Sequence, residues 1–237
     1  LFAGTLNLKQ SGALGDATAP FTIAGGTLDN TSGGPLTTRG HPQTWSGDFA
    51  FAGSGDLNLS NGPVTLAASR TVTINAGTLT VAGAISGSGF NLTKAGAGTL
   101  ALTGGIGTDA GSITANAGTL VLNGDNTFTG SVTVNNGSTV MLGGSNAFTG
   151  GLNLNSGEVI VNSTGALNAD SPNVVTLPND TASKILSLNG NTITVSNLTK
   201  AGFNGPAAAI VRNGHATTAA TLVTRVGSGS ITFAGTV

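Results

Sequence analysis

The central third of the sequence repeats one short unit about every twenty residues. Each unit holds a segment in which apolar residues alternate with threonine or other small residues, the pattern of a strand with one buried face. The first apolar residues of these segments keep nearly the same spacing throughout; they are Leu79, Leu100, Leu120, Val140 and Val159. Such a strand cannot bury its apolar face alone, whereas stacked copies can. The repeat predicts an all-β chain, a parallel β-helix wound as a single-stranded solenoid of about 20 residues per coil.

Two further sets of residues keep the same period. Asparagine stands two positions before a glycine ahead of four of these segments, at Asn75, Asn116, Asn135 and Asn155. Glycine and asparagine tolerate the left-handed backbone of a sharp corner, and stacked asparagine amides can hydrogen-bond to one another. Phe128 and Phe148 occupy the same position in two matching strings one repeat apart, which predicts that their rings stack inside the coil.

An antiparallel sandwich of short, glycine-rich strands is the alternative fold. Sandwiches place turns about every 8–12 residues, but nothing in them keeps corner residues in phase from one repeat to the next. The solenoid is therefore the better interpretation.

Two stretches break the pattern in the single β-helix predicted for residues 1–237. Residues 29–48 contain prolines and paired glycines, and are predicted to form a loop that leaves the coil. Because loops on repeat scaffolds carry binding function, Arg39, His41 and Trp45 are candidate ligand-binding residues. The competing interpretation is that Trp45 covers an apolar patch of the coil. Residues 168–183 are predicted to be a second irregular stretch.

Composition excludes several functions. Charged residues make up 7% of the chain and the net charge is −1, with no basic run, so nucleic acid is not an expected partner. No apolar run is long enough to span a membrane. Cysteine is absent, which excludes disulfides and thiolate metal sites. The chain does not begin with methionine, and we expect it to be a mature or excised piece.

Catalytic patterns are weak, and no catalytic, cofactor or metal site is predicted. Glycoside cleavage needs two carboxylates across the bond, yet the acids do not recur at one coil position. Asp109 and Asp125 have a spacing near one turn, but solvated corner aspartates are commoner. His41 and His215 lie far from other metal-type ligands. Lys94 and Lys200 occupy equivalent positions and are interpreted as edge lysines that deter aggregation.

The stretch from Ile85 to Leu100 carries the string Asn-Leu-Thr-Lys-Ala-Gly-Ala-Gly-Thr-Leu, and residues 198–202 repeat part of it. This string resembles the passenger-associated repeat of bacterial autotransporters, and the resemblance covers Ile85 to Gly157 well. It implies a right-handed parallel β-helix displayed at, or released from, the surface of a bacterium with an outer membrane. The repeat marks a scaffold rather than an activity, and no membrane barrel follows it in this chain.

Two functions remain open. The first is a non-catalytic structural or adhesive surface module of about twelve coils, on the order of 55 Å long. The residues from Phe2 to Leu6 match those from Phe233 to Val237, which predicts that the same polypeptide or a second copy continues the coil at both ends. A host surface or a glycan is then the expected ligand. The second function is a glycan-binding or glycan-cleaving β-helix, with acids and Trp45 in one cleft.

Overall fold

The structure is a computed structural model that describes residues 1–107, 111–167, 173–178, 181–200, 209–224 and 232–233; residues 199–200 and 232–233 are described by their backbone alone. Within these residues the secondary structure consists of short strands and turns, with no helix. No described segment therefore forms a helix able to cross a membrane.

The strands are, in chain order, β1 (Thr5–Leu8), β2 (Phe21–Ile23), β3 (Thr27–Asn30), β4 (Leu36–Thr37), β5 (Gln43–Trp45), β6 (Phe49–Phe51), β7 (Leu57–Asn58), β8 (Val64–Leu66), β9 (Arg70–Ile74), β10 (Thr78–Val81), β11 (Ile85–Ser86), β12 (Leu92–Ala95), β13 (Thr99–Leu102), β14 (Ile106–Gly107), β15 (Ile113–Ala115), β16 (Thr119–Leu122), β17 (Val132–Val134), β18 (Thr139–Leu142), β19 (Leu152–Leu154), β20 (Gly157–Val161), β21 (Val174–Leu177), β22 (Lys184–Ser187), β23 (Thr192–Val195), β24 (Asn197–Lys200), β25 (Ala209–Arg212), β26 (Thr221–Thr224) and β27 (Thr232–Phe233).

These strands form long parallel sheets along one axis, one sheet on each face of the coil. Sheet A has ten strands in the order β1-β3-β6-β9-β12-β15-β17-β19-β21-β24. Sheet C has nine, in the order β4-β7-β10-β13-β16-β18-β20-β22-β25. Sheet B has five, β2-β5-β8-β11-β14, and a smaller sheet holds β23, β26 and β27. The all-β solenoid predicted from the repeat is confirmed.

The coils vary in length more than the sequence repeat alone indicates. The shortest step between register partners in sheet A runs from Ile113 to Val132, and one of the longest runs from Thr27 to Ala50. Ten strands in sheet A give nine steps of about 4.8 Å, or roughly 43 Å. The expectation of about twelve coils was too high, because most coils of sheet A are longer than 20 residues; Thr5 and its register partner Thr27, for example, are 27 − 5 = 22 residues apart.

The interior is a continuous apolar core. In the strands of sheets A and C, every second side chain points inward. The inward leucine, valine and isoleucine side chains of successive coils therefore stack on one another. Trp45 and Phe51 fill the first coils, and Phe128 and Phe148 fill a later part. Each of these four side chains is fully buried.

The corners require glycine for two reasons. Gly118 and Gly137 have φ values of +59° and +72°, in the left-handed region that favours glycine. At Gly118 a Cβ atom would also lie 2.5 Å from the carbonyl oxygen of Gly98 in the preceding coil. In the corner before Gly137 the left-handed asparagine is Asn136, not Asn135, with φ +51°.

The structure differs from the predicted loop at residues 29–48. These residues form β4 and β5 within sheets C and B, and their ends belong to β3 and the corner before β6. Prolines had indicated a loop. Pro42, however, lies at the coil corner directly before β5, where a missing N–H is tolerated. The segment that does leave the coil is 9–20, which links β1 to β2 and takes the place of a sheet C strand in the first coil.

The C-terminal part also differs from expectation. Strand β21 lies inside the predicted irregular stretch 168–183 and pairs with β19 and β24; residues 168–172 and 179–180 lie outside the described residues. Phe233 was predicted to continue the parallel coil, but β27 pairs antiparallel with β26. Residues 234–237 lie outside the described part.

Candidate functional surfaces

The three candidate binding residues do not form an open site. Trp45 is fully buried in the core, where its indole Nε1 donates to Gln43 Oε1 at 3.1 Å. Its ring meets Phe49 edge to face at 5.1 Å between centroids. An indole packed in this way cannot contact a ligand at the surface. Trp45 is an inward-facing core residue of β5 rather than a cover over a patch of the coil.

Arg39 and His41 hold the 9–20 segment against the second coil. Arg39 Nη1 donates to the carbonyl oxygen of Gly15 at 3.3 Å, and His41 Nδ1 lies 3.1 Å from the carbonyl oxygen of Ala19. His41 is buried, and within the described residues its Nε2 has no hydrogen-bond partner. Asp16 lies in the same segment, and two hydrogen bonds from Thr18 lower the pKa of its carboxyl, with smaller help from the nearby Arg39 charge.

Replacing Arg39 by alanine should loosen this segment without unfolding the solenoid. We expect faster amide hydrogen exchange over residues 9–20, because the guanidinium bond to Gly15 is lost. The free energy of unfolding should change by less than about 1 kcal/mol, since the bond is exposed. Arg212→Ala, which removes an exposed arginine far from the segment, is the matched control. Unchanged exchange over residues 9–20 would show that Arg39 does not hold the segment.

Four of the aspartates bind backbone N–H groups of the next coil. Asp48 accepts from Thr71 N at 2.9 Å, Asp56 from Thr78 N at 2.8 Å and Asp125 from Ser145 N at 2.8 Å. Asp29 accepts from both the backbone N–H and the hydroxyl of Ser54. Each acid thus satisfies a corner donor that the parallel ladder leaves unpaired.

Two carboxylates do not converge in the groove on sheet C. This open groove of about 260 Å³ lies across β4, β7 and β10, and its lining contains one acid, Asp56, but no aromatic side chain. Asp109, the proposed partner of Asp125, lies outside the described residues. Within the described part of the chain, no three histidine or acidic side chains group in a way that could hold a metal ion.

The structure places the five residues of the apolar repeat in one interior row. Leu79 pairs with Leu100, Leu100 with Leu120, Leu120 with Val140, and Val140 with Val159, and all five are fully buried. They form the inner face of sheet C. Their role is packing.

Three of the four predicted asparagines form a ladder. Asn155 Nδ2 donates to Asn135 Oδ1 at 2.8 Å, and Asn135 Nδ2 donates to Asn116 Oδ1 at 3.0 Å. Asn75 does not join them, because it is out of register: Ala95 occupies the ladder position on β12 and pairs with Thr73, two residues before Asn75. Asn75 is exposed.

A second, buried asparagine ladder was not predicted. Asn126 Oδ1 accepts from Ile106 N at 3.0 Å, and Asn126 Nδ2 donates to Gly124 O and to Asn146 Oδ1. Asn146 Nδ2 in turn donates to Gly143 O and Ala166 O. These amides continue the face of sheet B beyond β14, where the strands give way to a single bridge between Asn126 and Asn146.

The two phenylalanines of the same strings stack beside this ladder. The rings of Phe128 and Phe148 are 5.3 Å apart and nearly parallel, at 6°. Asn126 and Phe128 recur one repeat later as Asn146 and Phe148. That shared spacing is the signal that could have identified the buried asparagines.

Lys94 is an interior residue, not the edge lysine that was predicted. Its side chain is 1% exposed, and its Nζ donates to the carbonyl oxygens of Gly96 and, at 2.8 Å, Ala117. Burial lowers the pKa of this amine from 10.5 to about 8. The lysine therefore satisfies two corner carbonyls of neighbouring coils from inside the solenoid. The side chain of Lys200 lies outside the described residues.

The regular coils match a known repeat family. Residues 92–121, 113–141 and 138–161 each match the sequence profile of the passenger-associated-transport-repeat. The chain carries passenger-associated-transport repeats. The three matches run from β12 to β20, so each passenger-associated-transport-repeat spans a coil and the start of the next. Lys94, both asparagine ladders and the phenylalanine stack all lie within the matched region.

The repeat and the solenoid together fit an autotransporter passenger-type β-helix. Passenger-associated-transport repeats indicate a secreted or surface-exposed protein. Neither the curated proteins nor the solved structures provide a significant match to the chain.

Proposed function

We propose that the chain is a non-catalytic structural or adhesive segment of an exported bacterial surface protein, a stiff β-helical stalk that can stack head to tail. The ten-stranded parallel sheet A carries this proposal. Its strands are joined by backbone hydrogen bonds along the full axis, and the core beneath it is continuous. A column built in this way resists bending and holds whatever lies at its ends at a fixed distance.

The functional groups of the surface support a scaffold more than an enzyme. Four aspartates bind backbone donors, and the groove on sheet C contains one acid. The alternative, a glycan-cleaving β-helix, needs two carboxylates that flank one bond. A glycan or a host surface remains the ligand class that we propose for an adhesive role.

The open edge of β1 supports stacking. In the pairing with β3, the carbonyls of Gly4 and Leu8 accept from Thr27 N and Thr31 N. Alternate residues of a parallel strand face opposite neighbours, so the N–H groups of Thr5 and Asn7 point away from β3. These groups can pair with another coil, supplied by the same polypeptide or by a second copy.

Replacing Asn7 by proline should prevent stacking through this edge. Proline removes one outward donor but leaves the β1–β3 bonds intact, because it is tolerated on an edge strand. We expect the parent protein to form rods longer than one solenoid in negative-stain electron micrographs, and Asn7→Pro to give single solenoids. Asn7→Thr keeps the donor and is the matched control. A parent protein that sediments as a monomer at every concentration would contradict head-to-tail stacking.

A further inference from the structure

The outer face of sheet A carries a straight row of small polar side chains, most of them threonines. Successive members are register partners on adjacent strands, and all are half-buried. The members of this threonine row are Thr71, Thr93, Thr114, Thr133, Asn153 and Thr176. Adjacent strands fix their spacing at about 4.8 Å.

A second row runs parallel to the first over the same coils. Asn116, Asn135 and Asn155 each lie two positions after a member of the threonine row, on the same outer face. Two positions along a strand measure about 6.6 Å, which sets the distance between the rows. The amide ladder joins the three asparagines to one another and fixes their orientation. The face therefore presents polar groups on a rigid two-dimensional grid.

From β12 to β21 this grid is uncharged, whereas at its β9 end Thr71 lies beside the Asp48–Arg70 ion pair. The outward positions of β12, β15, β17, β19 and β21 hold threonine, asparagine, alanine and valine. Within the described part of the chain, the hydroxyls of Thr93, Thr114 and Thr133 form no hydrogen bond to a protein group. They are thus available to water, and the rigid backbone holds them at fixed intervals.

We propose that this face of sheet A binds ice. The two intervals of the grid are close to the two repeats of the oxygen lattice on a prism plane of hexagonal ice. Water held by the threonine hydroxyls and asparagine amides can then occupy lattice positions, at little cost in ordering, because the side chains are already fixed. Each contact is weak, but many equivalent contacts act together on one rigid surface.

The repetition of the face points to a lattice rather than a small molecule. A row of small, uncharged side chains offers none of the charged groups by which small ligands are held. A ligand surface whose repeat matches the spacing of the grid can contact the polar side chains of every coil. Sheet C lacks the second polar row: beside its threonines on β13, β16 and β18 lie Ala101, Val121 and Met141.

The test is partition of the protein into slowly growing ice. A fluorescently labelled full chain is mixed with labelled serum albumin, ice is grown on a cooled probe, and both proteins are measured in the ice and in the remaining liquid. We expect the chain to be enriched in the ice relative to albumin and to inhibit ice recrystallisation. Both effects should be lost in the double variant Thr114→Lys, Thr133→Lys, because each lysine displaces lattice water from the centre of the grid.

The matched control places the same substitutions on sheet C. Thr119→Lys, Thr139→Lys changes two half-buried threonines in neighbouring coils and should leave enrichment unchanged. Circular dichroism and thermal unfolding verify that both double variants remain folded. Where the sheet A variant unfolds, Thr114→Val, Thr133→Val replaces it and should reduce enrichment. Enrichment no greater than that of albumin, equal loss in both double variants, or binding to insoluble cellulose in place of ice would overturn the proposal.

Discussion

Replacing Asn126 by alanine should lower the free energy of unfolding by about 2–5 kcal/mol. Its amide is buried and serves three partners: the N–H of Ile106, the carbonyl of Gly124 and the side-chain oxygen of Asn146. Each buried group left without a partner costs about 1–3 kcal/mol, and one water in the vacated space would restore only part of the bonding. Equilibrium unfolding in urea measures the loss.

The control for this variant is Asn135→Ala, in the outer asparagine ladder. Asn135 also bonds to asparagines of both neighbouring coils, but it is half-buried, so water can replace its bonds. Its loss should cost only about 0.5–1.5 kcal/mol. Equal losses of unfolding free energy in the two variants would show that burial does not determine how much each amide contributes to stability. A fall in the urea m-value would indicate that the end coils now unfold separately.

The interior row could be predicted from sequence because a parallel solenoid has little freedom. Once Leu79, Leu100 and Leu120 occupy one face, backbone pairing brings them into register. A slip by one residue would expose the entire apolar set. Period and alternation therefore predict the fold of the regular coils.

The position of the 9–20 segment, which leaves the coil, could not be predicted from local composition. Pro20, Pro42 and Pro63 directly precede β2, β5 and β8, so they mark the same corner of three successive coils. Their nearly even spacing repeats the coil period. Proline was interpreted as the sign of a loop, although its spacing was the more informative feature.

The buried polar side chains were missed for a related reason. Lys94 follows Leu92 at the inward phase of β12, where its neighbours in register are Val72 and Ala115. Lys94 was assigned to the surface because lysine is charged. Its position in the alternation of β12, however, points its side chain into the interior. In a solenoid the corner carbonyls need donors, and a long side chain from the interior reaches them.

The buried amine of Lys94 should make the protein more stable as the pH rises from about 8 to about 10.5. Burial lowers the pKa of Lys94 in the folded chain to about 8, from 10.5 as the ordinary value. Between these values the unfolded chain binds a proton on Lys94 that the folded chain has lost, so stability increases with pH. The full gain is about 3.5 kcal/mol, at about 1.4 kcal/mol for each pKa unit.

The chain contains neither cysteine nor tyrosine, so the side chains that titrate in this pH window are lysines. Urea unfolding at pH 7, 8, 9 and 10 gives the slope directly. Lys94→Met should abolish most of the rise, since methionine fills similar space and carries no proton. Lys9→Met, which removes an exposed lysine, should retain it. Parallel stability curves for the parent and Lys94→Met would mean that the amine stays charged in its contacts with Gly96 and Ala117, and that carbonyl dipoles offset its loss of water.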